Sequence, residues 1–246
     1  MKNLLVVMPT YNDEAYIERA INSVINQTFK NFKLCIVNDC STDGSLEKIT
    51  PYLKNNNIEL INNIKNGGCF YSKNVGISLL EKQSFDVYTT HDADDFSDST
   101  RFEKIMKIFE DDDVLAVQDY DLKIGGTPPE WLSKVGQLIP NHAHAFFSKK
   151  SFEIFGYYDN YMCSSDTELW HRILRYTKMN KKYKIKTMEE LLYYSQITGK
   201  NMTVRMGMDI RQPHFINYAK KINQMKNDQD FYKPFFSIDE AVKWNT

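Results

Sequence analysis

Between Asn3 and Thr90 short apolar runs alternate with stretches of helical spacing, and most of the runs end in a polar cluster. Asn3 to Met8, Phe32 to Val37, Ile58 to Ile61 and Phe85 to Thr90 read as strands. Ile17, Ala20, Ile21, Val24 and Ile25 mark one apolar helical face, and further helices are predicted around Ser45 to Leu53 and Phe70 to Leu80. Asn12 is placed to cap the first helix, with Asp13 and Glu14 in its first turn, where acids suit the dipole. Strands that alternate with helices imply βαβ units and an α/β fold with a mostly parallel central sheet flanked by helices. In such sheets ligands bind outside the carboxyl ends of the strands. Pro9 to Glu14, Asn38 to Ser41 and Asp92 to Asp95 all fall at those ends.

The alternation weakens after Thr127, beyond the breaker cluster Gly125-Gly126-Thr127-Pro128-Pro129. An apolar run (Ala143 to Phe147), a helix from about Asp166 to Tyr176 and an aromatic strand at Leu191 to Tyr194 follow. With no internal repeat or low-complexity linker, residues 1–246 read as one domain: a regular half (1–124), a less regular half (125–204) and a C-terminal helical segment (205–246). The tail, with Arg205, Arg211 and His214, is suited either to closing over the site or to associating subunits as a homo-oligomer.

Bulk properties exclude several classes. The net charge of -1 and the lack of a basic aromatic patch argue against nucleic acid as a partner. Leu4 to Met8 is too short for the core of a signal peptide, and no transmembrane stretch is expected. Cys35, Cys40, Cys69 and Cys163 show no paired spacing, so they read as reduced thiols of a cytoplasmic protein.

The residues with chemical capacity gather on the expected edge. Hard divalent cations such as Mn²⁺ or Mg²⁺ take oxygen ligands, often one or two carboxylates plus substrate phosphates. An Asp-x-Asp pair at a strand end, Asp92-Ala93-Asp94, can place one carboxylate on the metal and the other on ribose or a metal-bound water. Asp111-Asp112-Asp113 is denser in charge, but it precedes a strand and so falls at the opposite edge, as a solvated loop. Asp39 can accept the imide N–H of uracil or close an Asx turn. Gly67-Gly68 permits close approach to a ligand or simply a tight turn. Asp166, at a helix start, should remain ionised as a general base must, while Ser165 and Glu168 have capping-box spacing. His142 and His144 share one side of a strand and could form a metal pair, but with no third ligand evident they suit a structural or acceptor-contact role. Trp170, His171, Trp131, Tyr157 and Tyr158 read as packing residues by default, although Trp131, Tyr157 and Tyr158 could stack on a sugar.

Taken in order, these motifs resemble the family 2 inverting glycosyltransferases, which have the GT-A fold. Val7 to Asn12 resembles the family's nucleotide loop, and Asn38-Asp39 its uracil-binding segment. Asn66-Gly67-Gly68 through Gly76 resembles the glycine loop and helix, with Lys73 where arginine is common. Asp92-Ala93-Asp94-Asp95 resembles the metal motif, and Ser165-Asp166 stands where Glu-Asp is usual. The resemblance implies a metal-dependent inverting hexosyl- or N-acetylhexosaminyltransferase that moves a sugar from a UDP-sugar to a glycan, lipid-linked or protein-linked acceptor. It implies Asp166 as catalytic base with Glu168 in reserve. Pro9, Thr10, Tyr11, Glu14, Asp39, Gly68, Lys73, Asp92 and Ala93 would lie on the nucleotide, and Asp94 would hold Mn²⁺ or Mg²⁺. The family's later histidine is replaced by Thr198, so His214 is the candidate second ligand. A non-catalytic sugar-nucleotide-binding module and a nucleotidyltransferase are the alternatives. The acidic, glycine-free loop Pro9 to Glu14 argues against the second of these.

Overall fold

The computed structural model describes residues 1–79, 83–126, 138–159, 163–199, 208–224 and 242–244. Its first half realises the alternation: β1 (Leu4–Thr10), α1 (Ile17–Ile25), β2 (Phe32–Asn38), α2 (Ser45–Ile49), β3 (Ile58–Asn63), α3 (Cys69–Ile77) and β4 (Val87–Thr90). The second half runs β5 (Phe96–Ser97), α4 (Arg101–Ile108), β6 (Val114–Ile124), β7 (Leu138–Ser148), α5 (Lys149–Phe155), α6 (Ser165–Met179) and β8 (Lys184–Gln196). Helix α7 (Met208–Gln224) and strand β9 (Val242–Trp244) follow.

These strands form one nine-stranded sheet, ordered β5-β8-β6-β7-β4-β1-β2-β3-β9. Strands β4, β1, β2 and β3 are mutually parallel, as their helical crossovers require. The block is completed by antiparallel ladders at β4–β7, β6–β7, β5–β8 and β3–β9, while β6 and β8 pair in parallel. The parallel character is therefore concentrated in the first half.

Strand β1 is buried along its whole length, and its alternate residues feed two cores. Leu4, Val6 and Met8 pack with Ile17, Ala20, Ile21 and Val24 of α1 on one face. Leu5 and Val7 pack with Val75 and Ile77 of α3 on the other. Helix α3 lies so close to β1 that a Cβ on Gly76 would come within 2.3 Å of Val7 Cγ1. Covering both faces stabilises the central strands and leaves only their ends free to carry loops.

Three local expectations are corrected. Asn12 does not cap α1, which begins at Ile17; Asn12 adopts φ 59° and its side chain accepts from the Thr42 N–H at 2.8 Å. The helix expected from Ser45 to Leu53 is α2 followed by a 3₁₀ turn, Thr50–Lys54, with Pro51 near the junction. Ser165 and Glu168 form no capping box, because Glu168 turns inward to Arg172 at 2.6 Å instead.

Candidate active site

The carboxyl ends of β1, β2 and β4 carry the polar loops to one edge, as expected for a parallel sheet. The opposite edge holds Asp111 and Asp112, which pair with Lys184 at 2.8 Å and Lys2 at 2.6 Å.

On the nucleotide side Asp39 is a hub. Its Oδ1 accepts from Asn63 Nδ2 at 2.7 Å and the Gly67 N–H at 2.9 Å, and its Oδ2 accepts from the Gly68 N–H at 2.8 Å. Three of the about four acceptor positions of this carboxylate are thus taken in organising the glycine loop, and the residue is buried. Gly68 sits at φ +85°, a conformation that glycine adopts without strain. Pro9 and Thr10 are buried, and the Thr10 hydroxyl donates to Asp13 at 3.0 Å. Tyr11 is exposed, with its ring free to stack. Glu14 is exposed and accepts from the Gly44 N–H at 3.2 Å.

The acidic turn follows β4. Asp92 lies 3.5 Å from the Nζ of buried Lys73, an ion pair longer than a hydrogen bond. Burial opposes the Asp92 charge, but Lys73, then His144 and His91, hold its pKa down at about 2. Burial likewise works against the Lys73 ammonium, yet Asp92, with smaller contributions from Cys69, Tyr158 and Asp166, leaves it above its ordinary value. Asp94 behaves oppositely: burial, then Asp92 and Asp13, push it up to about 8. Asp95 is buried and is pushed well above its usual range by burial and then by Asp94 and Asp92. Arg19 reaches from α1 to the Asp94 carbonyl at 2.9 Å, and Ala93 is buried beneath.

Crowded carboxyls with too little positive charge around them suit a hard divalent cation. Among the described residues, one group of three side chains brings its ligand atoms within 4.8 Å of one another: Asp92, Asp95 and His144. Asp94 is not one of them. His144 Nε2 lies 3.6 Å from Asp92 Oδ2 and 3.7 Å from Asp95 Oδ2. Its Nδ1 lies 3.3 Å from Thr90 Oγ1, which also donates to the Ala143 carbonyl at 3.2 Å. His214 lies on α7, but its side chain is outside the described residues, as are Trp131 and Arg205.

Sequence reasoning missed the support beneath this turn. The Tyr193 hydroxyl donates to Asp95 Oδ2 at 2.9 Å and accepts from the Asp92 N–H at 3.1 Å, while its ring stacks on His144 at 4.5 Å. Arg101 pairs with Asp119 at 2.6 Å, donates to the His144 carbonyl at 2.9 Å and lies 4.4 Å over the Tyr193 ring. Strand alternation could have flagged Tyr193 as inward-facing, but nothing local joined it to Asp95, 98 residues earlier.

Across the cleft, Asp166 stands at the start of α6, where its Oδ1 accepts from the Thr167 N–H at 2.7 Å. Reciprocal amide contacts between Asn74 of α3 and the Tyr158 backbone, at 3.0 and 3.1 Å, clip this segment over the nucleotide side. Glu168, the reserve base of the sequence reading, points away from solvent. It is fully buried against Arg172, which also donates to the carbonyls of Phe155 and Tyr157. The i, i+4 spacing of Glu168 and Arg172 was the available signal for this pairing. Tyr158 is core, and Trp170 packs in the same cluster.

Acidic and glycine loops gathered at the carboxyl ends of parallel strands lie where such α/β sheets commonly bind ligands. The sequence profile of Glycosyl transferase family 2 matches residues 5–166, and the chain belongs to that family. It is 24% identical to the chondroitin synthase of Pasteurella multocida over 97% of this chain, and it spans 25% of that protein's length. It is also 33% identical to an uncharacterized glycosyltransferase of Haemophilus influenzae over 48% of this chain and 36% of that one. S. aureus TarS 1-349 in complex with UDP-GlcNAc superposes with a TM-score of 0.68 at 18% identity, over 94% of this chain and 69% of that one. The mannosyltransferase PcManGT of Pyrobaculum calidifontis, in complex with GDP-Man and Mn²⁺, gives 0.66 at 17%, over 93% and 66%. The fold is GT-A. No helix among the described residues is long and apolar enough to cross a membrane.

Proposed function

We propose that the chain transfers a hexosyl or N-acetylhexosaminyl group from a UDP-sugar to a hydroxyl acceptor, with inversion at the anomeric carbon and dependence on Mn²⁺ or Mg²⁺. One observation carries this reading: buried Lys73 of α3 lies 3.5 Å from Asp92 at the end of β4, so the helix behind the glycine loop and the acidic turn share one charged centre. Exposed Tyr11 is available to the uracil face, and the Asp39 carboxylate, which its three protein donors do not saturate, to its imide N–H. Asp92, kept ionised by Lys73, serves the ribose, and Asp94 holds the ion. When bound, the ion neutralises charge on the departing diphosphate.

Asp166 takes the proton of the acceptor hydroxyl as that oxygen bonds to the anomeric carbon and the bond from carbon to the diphosphate oxygen breaks. UDP leaves with the electron pair. In the first turn of α6 the carboxylate sits at the positive end of the helix dipole. The acceptor is a glycan, lipid-linked or protein-linked hydroxyl, and the similarity to a chondroitin synthase supports the first of these.

A screen of nucleotide sugars for Mn²⁺-dependent UDP release tests the reading. Asp166→Asn should bind UDP normally and lose ~10²–10⁴-fold in transfer. Full transfer by Asp166→Asn would remove it as the base. UDP-sugar binding without turnover over a broad acceptor panel would instead favour a sugar-nucleotide-binding module.

A further inference from the structure

His142 has no part in the mechanism above, yet it lies against the residue that holds the base. Its Nε2 is 3.1 Å from Thr167 Oγ1, and its ring stacks on Trp170 with centroids 6.2 Å apart and planes at 27°. Thr167 in turn offers Asp166 Oδ1 its N–H at 2.7 Å and its hydroxyl at 3.4 Å. The Thr167 carbonyl is engaged by His171 Nδ1 at 2.8 Å, and His171 stacks on Tyr218 of α7. Thr167 is thus held from the strand on one side and from its own helix on the other.

The protons in this chain can be counted. A threonine hydroxyl has one, and the carboxylate is its strongest nearby acceptor. Thr167 can give that proton to Asp166 only if His142 is the donor in their contact, with its N–H on Nε2. The 3.1 Å contact with Thr167 Oγ1 is where that N–H donates, and it serves in either charge state that carries a proton on Nε2. Oδ1 of Asp166 then accepts two donors from Thr167, while Oδ2 has no protein partner among the described residues. An aliphatic side chain would pack against Trp170 without aiming a polar edge at a hydroxyl, and burying that edge costs free energy unless it is bonded.

We propose that His142 is a positioning residue for sugar transfer: through Thr167 it fixes the Asp166 carboxylate so that Oδ2 faces the acceptor hydroxyl. This rests on the reading of Asp166 as the base.

The test combines kinetics with a measurement that needs no substrate. In the UDP-release assay, using the nucleotide sugar that the screen identifies, His142→Ala should lower turnover roughly 10-fold or more with KM for the donor unchanged. His142→Gln, which keeps an N–H donor, should recover most of the loss. Thr167→Val should match His142→Ala, and the double variant should be no slower than either single one, because both break the same chain. An unimpaired His142→Ala, a His142→Gln as slow as the alanine variant, or multiplying losses would overturn the proposal. Asp166→Asn separates the two readings: if it keeps full turnover the base assignment fails, whereas a dead Asp166→Asn beside an unimpaired His142→Ala removes only the positioning role. Independently, proton–nitrogen NMR of the imidazoles should show His142 as the Nε2–H tautomer, with the Nε2–H proton resonance shifted upfield and exchanging faster with water in Thr167→Val. An Nδ1–H tautomer, or a spectrum indifferent to Thr167→Val, would also overturn it.

Discussion

The two acidic runs of this chain have opposite fates. Asp111-Asp112-Asp113 lies before β6, where Lys184 and Lys2 bind the first two carboxyls and hold them below the usual range. Asp92 to Asp95 follows β4, where burial and mutual repulsion push Asp94 up to about 8. The exposed run relaxes into solvent and lysine, whereas the cleft run stays crowded because the sheet and helices fix it there. Strand direction, more than density of charge, decides which acids can act on a ligand.

Substitutions can break this comparison, beginning with the largest effect. Asp94→Ala should abolish the Mn²⁺-induced rise in thermal midpoint and cut UDP release by roughly 10²-fold or more, as loss of several kcal/mol of charge stabilisation implies. Calorimetry with added Mn²⁺ checks it, with Asp111→Ala as the matched control expected to retain both. Should His144→Gln remove the Mn²⁺ response while Asp94→Ala keeps it, the ion would belong to the buried group of Asp92, Asp95 and His144.

The support beneath the turn gives the next effect. Arg101 and Asp119 are fully buried, so Arg101→Met should cost about 3–5 kcal/mol in denaturant unfolding by stranding a carboxylate. Pairing it with Asp119→Leu should return most of that loss. Tyr193→Phe removes a donor from Asp95 and an acceptor from the Asp92 N–H, at about 1–3 kcal/mol. The smallest effect belongs to the exposed run: Asp111→Asn with Asp112→Asn should leave the thermal midpoint unchanged, since exposed pairs contribute little. A large shift there would mean that this loop is more than a solvated turn.

The ease with which the two halves could be read follows from where their partners lie. In the first half the information is local: Ile17, Ala20, Ile21 and Val24 declare a helix face, and Asp39 and Asp92 are marked by the strands they end. In the second half the decisive pairs are remote. Arg101 finds Asp119 and the His144 carbonyl, and Tyr193 finds Asp95, contacts that no window of sequence contains. Asn12 misled for a related reason: its side chain suited a helix cap, but the Thr42 N–H, 30 residues on, took it instead.

By itself the sequence determined the parallel core, the edge on which the loops gather, and the places of Asp39 and Asp94 after strands, because hydrophobic period and strand ends are properties of short segments, while Asp166 was marked by its helix start and by the family resemblance. Only the tertiary structure decided how those candidates differ. Glu168 was buried on Arg172, Asp39 became the organiser of the glycine loop, and Lys73 was brought within 3.5 Å of Asp92. Those outcomes depend on desolvation and on charges brought together from distant elements, which exist only when the chain has closed on itself.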